Sequence, residues 1–499
     1  MTHRGLGVLA LALVLARSAG GQGYRVRIDT RLQVVSFRGL TPDSIAAADT
    51  VPGSGGGPAT PDGFAVLCGG GDAYCHFYRP GPILHGAPIV TSADLTLWGL
   101  GLPGLSARVS ARAAGEIGND HVWPGTSPEF QLIEGYLDYA MPQVTVRAGR
   151  QVATSRLGYE GFDGGRVVVR DANRGLELEG FIGWGLTQGV ALPVTSPALN
   201  PLDDFQPRRR QLVAGAGGGW TGRWGSLHAD YLREVDPDVD YFVSERAGVQ
   251  VAVRPPVKGL TLQAGSDWDL AMGEWGSAEG SVTYTGSRLS ATAGARRYRP
   301  HFALWTIWGA FSPVPYHAAF GRVTIRATDW LDIRASGERY AYAPADVSTA
   351  LVVVEDAGWR YEVGATASVV PGVTVDGAYQ AHFGPGASDA GGSGTLSYAP
   401  DPRLLVTLTG ATLQRPLEFR FEESRLKSVG VDLQAGVTSG LRVGVGGMYY
   451  EEDRRHPDAQ AFHWNQFRLT AFATIALGKG ADLRGIPPAV RRMPVGERP

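Results

Sequence analysis

Residues Tyr24 to Val34 alternate without a break. Tyr24, Val26, Ile28, Thr30, Leu32 and Val34 fall on one side, and Arg25, Arg27, Asp29, Arg31 and Gln33 on the other. Side chains of a strand point to opposite faces with period 2, so this segment meets water on one face and an apolar medium on the other. A half-buried strand of a soluble sheet does the same, but here the two-residue beat returns about twenty times along the chain. Leu105, Ala107, Val109, Ala111 and Ala113 alternate with Ser106, Arg108, Ser110 and Arg112; Val429, Val431, Leu433, Ala435 and Val437 alternate with Gly430, Asp432, Gln434 and Gly436. The pattern predicts an all-β fold, a transmembrane antiparallel up-and-down β-barrel of the bacterial outer membrane.

The N-terminus fits that address. Met1-Thr-His-Arg is a short positive start, Leu6 to Leu15 is apolar, and Ser18-Ala19-Gly20 offers small residues for cleavage, so residues 1–20 read as a signal peptide, with an uncleaved anchor as the alternative. The apolar stretch is too short for a spanning helix, which needs about 20 residues. Beyond it, no apolar helical run occurs in the 499 residues, although 43% of them are hydrophobic. The predicted barrel occupies residues 21–477 and starts almost at the cleavage point, so no N-terminal plug domain is expected. Residues 478–499 lack alternation and read as a disordered periplasmic tail. A formal net charge of −2 gives no pull toward nucleic acid. The expected surroundings are outer-membrane lipid and small hydrophilic solutes.

Short breaks punctuate the strands at Pro103-Gly104, Pro142-Gln143, Ala172-Asn173, Gly222-Arg223, Pro255-Pro256, Gly286-Ser287, Thr328-Asp329, Pro371-Gly372, Pro400-Asp401-Pro402 and Ser439-Gly440. Longer polar connections lie between them, near 117–128, 153–164, 187–210 and 299–315 among others. Short turns on one rim and long loops on the other is the asymmetry of an outer-membrane barrel, with the short side periplasmic. About ten turns plus the first and last strands give about 22 strands, within a range of about 16 to 22 once boundary errors are counted. Trp and Tyr recur near strand ends, as in Trp98, Trp184, Trp220, Trp275, Trp359 and Tyr398. Interfacial aromatic belts and ordinary strand propensity both account for them.

The longest irregular stretch is the first loop, residues 38–89, which holds both cysteines. Cys68 and Cys75 in a secreted chain read as a disulfide, and metal binding with His76 falls short of a usual zinc set. A wide barrel without a plug would leak, so this loop is expected to fold over or into the pore, a mobile external flap being the alternative.

Inward positions of the early strands are rich in arginine: Arg25, Arg27, Arg31, Arg108, Arg112 and Arg147, with Arg468 on the last strand. A basic sector attracts anions because a narrow low-dielectric lumen focuses the field. Equally, Asp29, Glu116, Glu134 and Asp138 can neutralise these arginines in a network that braces the wall. Asp230, Glu234, Asp267, Asp269 and Glu279 form an acidic counterpart, so a transverse charge separation is open.

The segment Ile133-Glu-Gly-Tyr-Leu-Asp-Tyr-Ala-Met-Pro-Gln-Val-Thr-Val-Arg-Ala-Gly-Arg-Gln, followed by Gly161-Phe-Asp-Gly-Gly-Arg-Val, resembles alginate-export-type porins and the related substrate-selective outer-membrane porins. The likeness covers about residues 130–185, a Gly-Arg-Gln followed downstream by Phe-Asp-Gly. It implies a porin fold that moves diverse solutes, not alginate in particular, with Arg150 and Asp163 facing the translocation path. Strict alternation from Thr145 and Arg147 would put Arg150 on the lipid side, at a cost of about 2–4 kcal/mol at the midplane. A rim position, or a β-bulge at Gly149 that turns Arg150 inward, avoids that cost, and the inward arginine is the expectation.

Catalytic signatures are absent: no G-x-S-x-G, H-E-x-x-H, P-loop or EF-hand loop occurs. Asp236-Pro-Asp-Val-Asp240 could hold calcium but reads better as a solvated acidic loop. The sequence therefore predicts a channel for passive diffusion of small hydrophilic solutes, anionic or saccharide-like ones included, with no cofactor, no metal and no chemical step. The alternative is a closed barrel acting as an esterase- or phospholipase-like enzyme or as a scaffold in a surface assembly. Nothing in the sequence demands a particular oligomer.

Overall fold

Alternation carries nearly the whole described chain into extended backbone. The computed structural model describes residues 23–53, 57–64, 66–71, 73–117, 130–186, 211–237, 243–299, 301, 314–343, 357–384, 388–417, 424–454 and 464–479. The expected signal peptide, nearly all of the expected tail and residues 238–240 of the acidic loop lie outside them. Strands β1 to β8 are Gly23–Ala46, Val51–Pro52, Pro58–Ala59, Tyr74–Gly86, Pro88–Trp98, Leu105–Glu116, Phe130–Ala140 and Val144–Ser155. Strands β9 to β16 are Gly158–Asp171, Leu176–Gly185, Leu212–Gly222, Gly225–Val235, Val243–Val253, Leu260–Asp269, Glu274–Thr285 and Leu289–Tyr298. Strands β17 to β25 are Tyr316–Thr328, Leu331–Tyr342, Ala357–Val370, Val373–Phe383, Ser388–Asp401, Leu404–Leu417, Ser424–Thr438, Leu441–Arg454 and Trp464–Gly478. Among the described residues the only helix is a 3-10 turn at Ala47–Asp49.

Every neighbour in the wall is antiparallel, and β25 returns to β1 with Arg25 opposite Gly478 and Val35 opposite Arg468. The sheet has 23 strands, but β4 and β5 follow each other across Ala87 and both pair with β1, so the closed wall has 22. Closure removes the free edges that an open sheet would expose. One rim carries ten short connections, at the ten breaks legible in the sequence.

The two faces of the wall differ as the alternation requires. Val429, Val431 and Leu433 on β23 are 53%, 51% and 41% exposed, so this apolar face has no protein cover and needs lipid. On the opposite face, rings lie over cross-strand glycines: Phe181 over Gly215, Phe320 over Gly294 and Phe472 over Gly444. A Cβ at any of these glycines would collide with the ring, which accounts for glycine inside otherwise good strands.

Part of the first long connection is regular. β1 runs on past the wall to Ala46 and pairs there with β4, making a two-stranded ribbon above the loop rim. Cys68 and Cys75 are disulfide-bonded at its end. Phe64, Val66, Cys75 and Phe77 form a buried cluster with Ile45 and Ala47, so the apolar side chains of this segment pack onto its own ribbon. Replacing both cysteines by serine is expected to cost about 2.5 kcal/mol of local stability on the chain-entropy model. Faster protease nicking of the segment with an unchanged melting temperature of the barrel wall is the expected pair of results, and a lowered melting temperature would contradict it.

Candidate functional site

The element that enters the barrel is the hairpin of β8 and β9. Pairing of β7 with β8 stops at Gly135 opposite Arg150, although β7 itself continues to Phe130. Just before that point Gly149 has φ +127, and a Cβ there would collide with the carbonyl oxygen of Gly135. Only glycine tolerates both conditions, and they bend β8 away from the wall. The hairpin then closes through Arg156 and Leu157, with Gly158 at φ +123.

Its tip touches strands that are far from β8 and β9 in the wall order. The backbone N–H of Arg156 donates to Asp230 on β12 at 3.4 Å, and its guanidinium reaches Glu279 on β15 at 3.1 Å and Asp267 on β14 at 3.8 Å. Arg246 on β13 donates to the carbonyl oxygen of Leu157 at 2.7 Å. Glycines make the room: a side chain at Gly248 would meet Leu157, and one at Gly265 would meet the Arg156 guanidinium. A hairpin can reach four successive wall strands beyond its neighbours only by crossing the inside of the barrel. The charged face is therefore the inner one.

An apolar cluster holds the hairpin down. Phe162 and Val213 are 0% exposed, and Ala153, Leu157 and Leu232 are buried around them. Phe162 stacks on Phe181 with ring centroids 4.9 Å apart. Burying one such ring contributes about 2–3 kcal/mol. Gln151, also fully buried, donates to the carbonyl oxygen of Gly164 at 3.0 Å and ties the two strands together.

The inner face brings together most of the residues singled out in the sequence. Arg27 bonds Asp29 at 2.7 Å, and the Thr474 hydroxyl donates to Asp29 at 2.6 Å. Arg108 lies 3.1 Å from Glu134 and 3.7 Å from Asp94. Arg147 bonds Asp138 at 2.9 Å and lies over the Tyr136 ring. Arg468 donates to Gln466 at 2.6 Å. Arg25, Arg31 and Arg112 share the same face, and among the described residues no ion pair forms at Arg25 or Arg31. The acidic set on β12 to β15 is the seat of the hairpin: Asp230, Asp267 and Glu279 contact Arg156 directly, and Glu234 lies 4.0 Å from Arg246. The charge separation conceivable from sequence is thus largely closed by Arg156. That arginine falls inside residues 153–164, which the sequence presents as a long polar connection and the structure as the tip of a tight hairpin.

Arg150 and Asp163 take a different arrangement. They form a bidentate pair at 2.7 and 2.8 Å, and Arg150 also donates to the carbonyl oxygen of Leu132 at 3.0 Å. Register is unbroken through Gly149, so the pair stays on the face opposite Gln151 and Phe162, where the hairpin parts from β7. The irregularity lies instead on β7, whose Ile133 is extra relative to β6. The two short motifs of the sequence resemblance are register partners: Gly149 faces Gly164, Arg150 faces Asp163 and Gln151 faces Phe162.

No protein-family model matches the chain, and no curated protein does. Among solved structures it is similar to a mutant of the ferric enterobactin receptor PfeA from Pseudomonas aeruginosa, with TM-score 0.51 and 12% identity over 90% of this chain and 80% of that one. It also matches Acinetobacter baumannii OccAB1 (TM-score 0.37, 11% identity, 92% and 99% covered). A BenF-like porin from Pseudomonas fluorescens matches with TM-score 0.39 and 9% identity, over 91% and 99%. The chain has the fold of an outer-membrane β-barrel.

In this outer-membrane barrel one titratable group of the loop rim bears on the hairpin seat. Burial pushes the imidazole of His301 down to about 4 from 6.5, with Arg246 and Arg299 acting in the same direction and Asp269 opposing. Between those two pH values the unfolded chain takes up a proton that the folded form resists, so stability falls as the pH drops through the window. A proton on His301 places a second cation beside Arg246, which holds Leu157. The melting temperature is expected to fall further across this window in the native protein than in His301→Asn; equal falls in both would remove His301 from the seat.

Proposed function

We propose that the protein is a passive outer-membrane channel for small hydrophilic solutes, anionic or saccharide-like ones among them, with no chemical step. The docked β8–β9 hairpin carries this reading. A wall of 22 strands encloses more space than the 16–18-stranded barrels that already leave an aqueous channel. A hairpin folded across part of that lumen narrows the path without needing a separate plug. The paired arginines and carboxylates of the inner face keep the wall wettable while presenting donors and acceptors to a passing solute. The resemblance of residues 130–185 to substrate-selective porins supports the same reading, because its two motifs build the root of this hairpin.

Reconstitution into planar bilayers tests it. Stepwise single-channel currents, with a reversal potential in a salt gradient close to that of a weakly selective pore, are the expected result. A protein that inserts fully and never conducts would contradict the reading.

A further inference from the structure

The inner wall of β16 to β20 carries a second organised surface, next to the hairpin seat. Register sets Tyr298 opposite Tyr316 and Tyr316 opposite Tyr342, with Tyr340 beside them on the same face. Their ring centroids are 5.5 Å (Tyr298–Tyr316), 5.6 Å (Tyr316–Tyr342) and 5.7 Å (Tyr340–Tyr342) apart. The last two pairs meet edge to face, a contact that covers one face of one ring in each pair and leaves the faces of its partner free of that contact. Tyr340 is the buttress: it is 1% exposed, covers Gly358, and its hydroxyl lies 2.6 Å from Nε2 of His382. Tyr298, by contrast, is 44% exposed.

Polar groups frame these rings in a fixed array. Glu338 takes the guanidinium of Arg296 on one side and that of Arg360 on the other, the latter at 3.1 Å. Arg360 lies 4.5 Å over the Tyr340 ring. Toward the short-turn rim the same strands continue the array with Arg334, held by Glu362 at 3.0 Å and Asp376 at 2.7 Å. The array adjoins the path left by the hairpin, since Arg296 is the cross-strand neighbour of Glu279, which holds Arg156.

We infer that this surface, taken with the channel reading on which it rests, is a binding site for uncharged oligosaccharides. A sugar ring offers a flat face of C–H groups and a rim of hydroxyls, each both donor and acceptor. The exposed ring of Tyr298 and the half-buried rings of Tyr316 and Tyr342 accept the first by dispersion and C–H contact with the π face. The second needs guanidinium N–H groups and carboxylate lone pairs side by side, each with capacity to spare beyond its ion pair. Across the array three guanidiniums, Arg296, Arg360 and Arg334, stand against three carboxylates, Glu338, Glu362 and Asp376, so the surface as a whole carries no net charge to draw a free ion. That balance gives ions no advantage and leaves hydroxyl recognition intact.

Single-channel recording with millimolar maltohexaose, cellohexaose or laminarihexaose tests the site against sodium gluconate and arginine as ionic controls. Saturable interruption of the current by at least one of the uncharged oligosaccharides is expected, and none by the ions. The double variant Tyr298→Ala/Tyr342→Ala is expected to weaken that block about tenfold, and Tyr298→Phe/Tyr342→Phe to retain it, because the ring faces remain. A conducting protein that no oligosaccharide blocks, a block equal in the alanine variant, or stronger block by either ion overturns the site and leaves the channel standing. If the protein does not conduct, the channel reading fails, and calorimetric titration of the detergent-solubilised protein with the same three sugars decides the site by itself.

Discussion

Replacing residues 153–160 by an Asn-Gly turn is expected to raise single-channel conductance roughly threefold, since the freed lumen of a 22-stranded wall is wider than that of the 16–18-stranded barrels that already leave an aqueous channel. The change joins Val152 to Gly161, which are register partners, so the wall and its pairing with β7 and β10 stay as they are. It removes Arg156 and leaves Asp230, Asp267 and Glu279 without the arginine that now touches them. Selectivity therefore moves toward cations, read as a shift of reversal potential in a salt gradient. An unchanged conductance in a correctly folded variant would mean that the hairpin does not limit the path.

Phe162→Ala tests the same device through its anchor. The ring is fully buried against Phe181 at the centre of the hairpin cluster, and removing such a ring costs about 3–5 kcal/mol. The loss falls on the docking of the hairpin, because the hydrogen-bond ladder of β9 with β10 does not depend on the side chain. The expected record flickers between the native current and the level of the Asn-Gly variant, and the hairpin becomes a protease target. A steady native current would show that the polar pins at Arg156 and Arg246 hold the hairpin unaided.

The wall was legible because one rule, repeated, governs it. Lipid outside and water inside force a two-residue beat on every strand, and each short turn carries its own Pro, Gly or Asp, so the ten breaks and the count of 22 follow from local sequence. The hairpin was not legible for the same reason. Once β8 and β9 leave the wall, lipid no longer sets either face: Ala153, Leu157 and Phe162 pack onto the inner wall while Thr154 and Tyr159 stay exposed, so the lipid-against-water beat disappears from residues 153–164. Signals existed but were indirect: Leu157 and Phe162 are apolar among polar neighbours, and Gly248 and Gly265 interrupt the inner face of β13 and β14. Arg150 shows the limit of alternation differently. Its face follows from strict counting, but its neutralisation by Asp163 depends on a partner across a turn that no local pattern announces.

The residue-by-residue pairing of Gly149-Arg150-Gln151 with Phe162-Asp163-Gly164 has a consequence for how this sequence can drift. Neither triplet is free to change by itself. A larger residue at Gly149, whose backbone φ is +127, strains the bend. Loss of Arg150 strands a carboxylate, and loss of Phe162 uncovers the buried amide of Gln151. Descendants of this chain are therefore expected to exchange these residues in matched couples, and a kinship search weighting the couples jointly will reach further than one scoring each triplet separately.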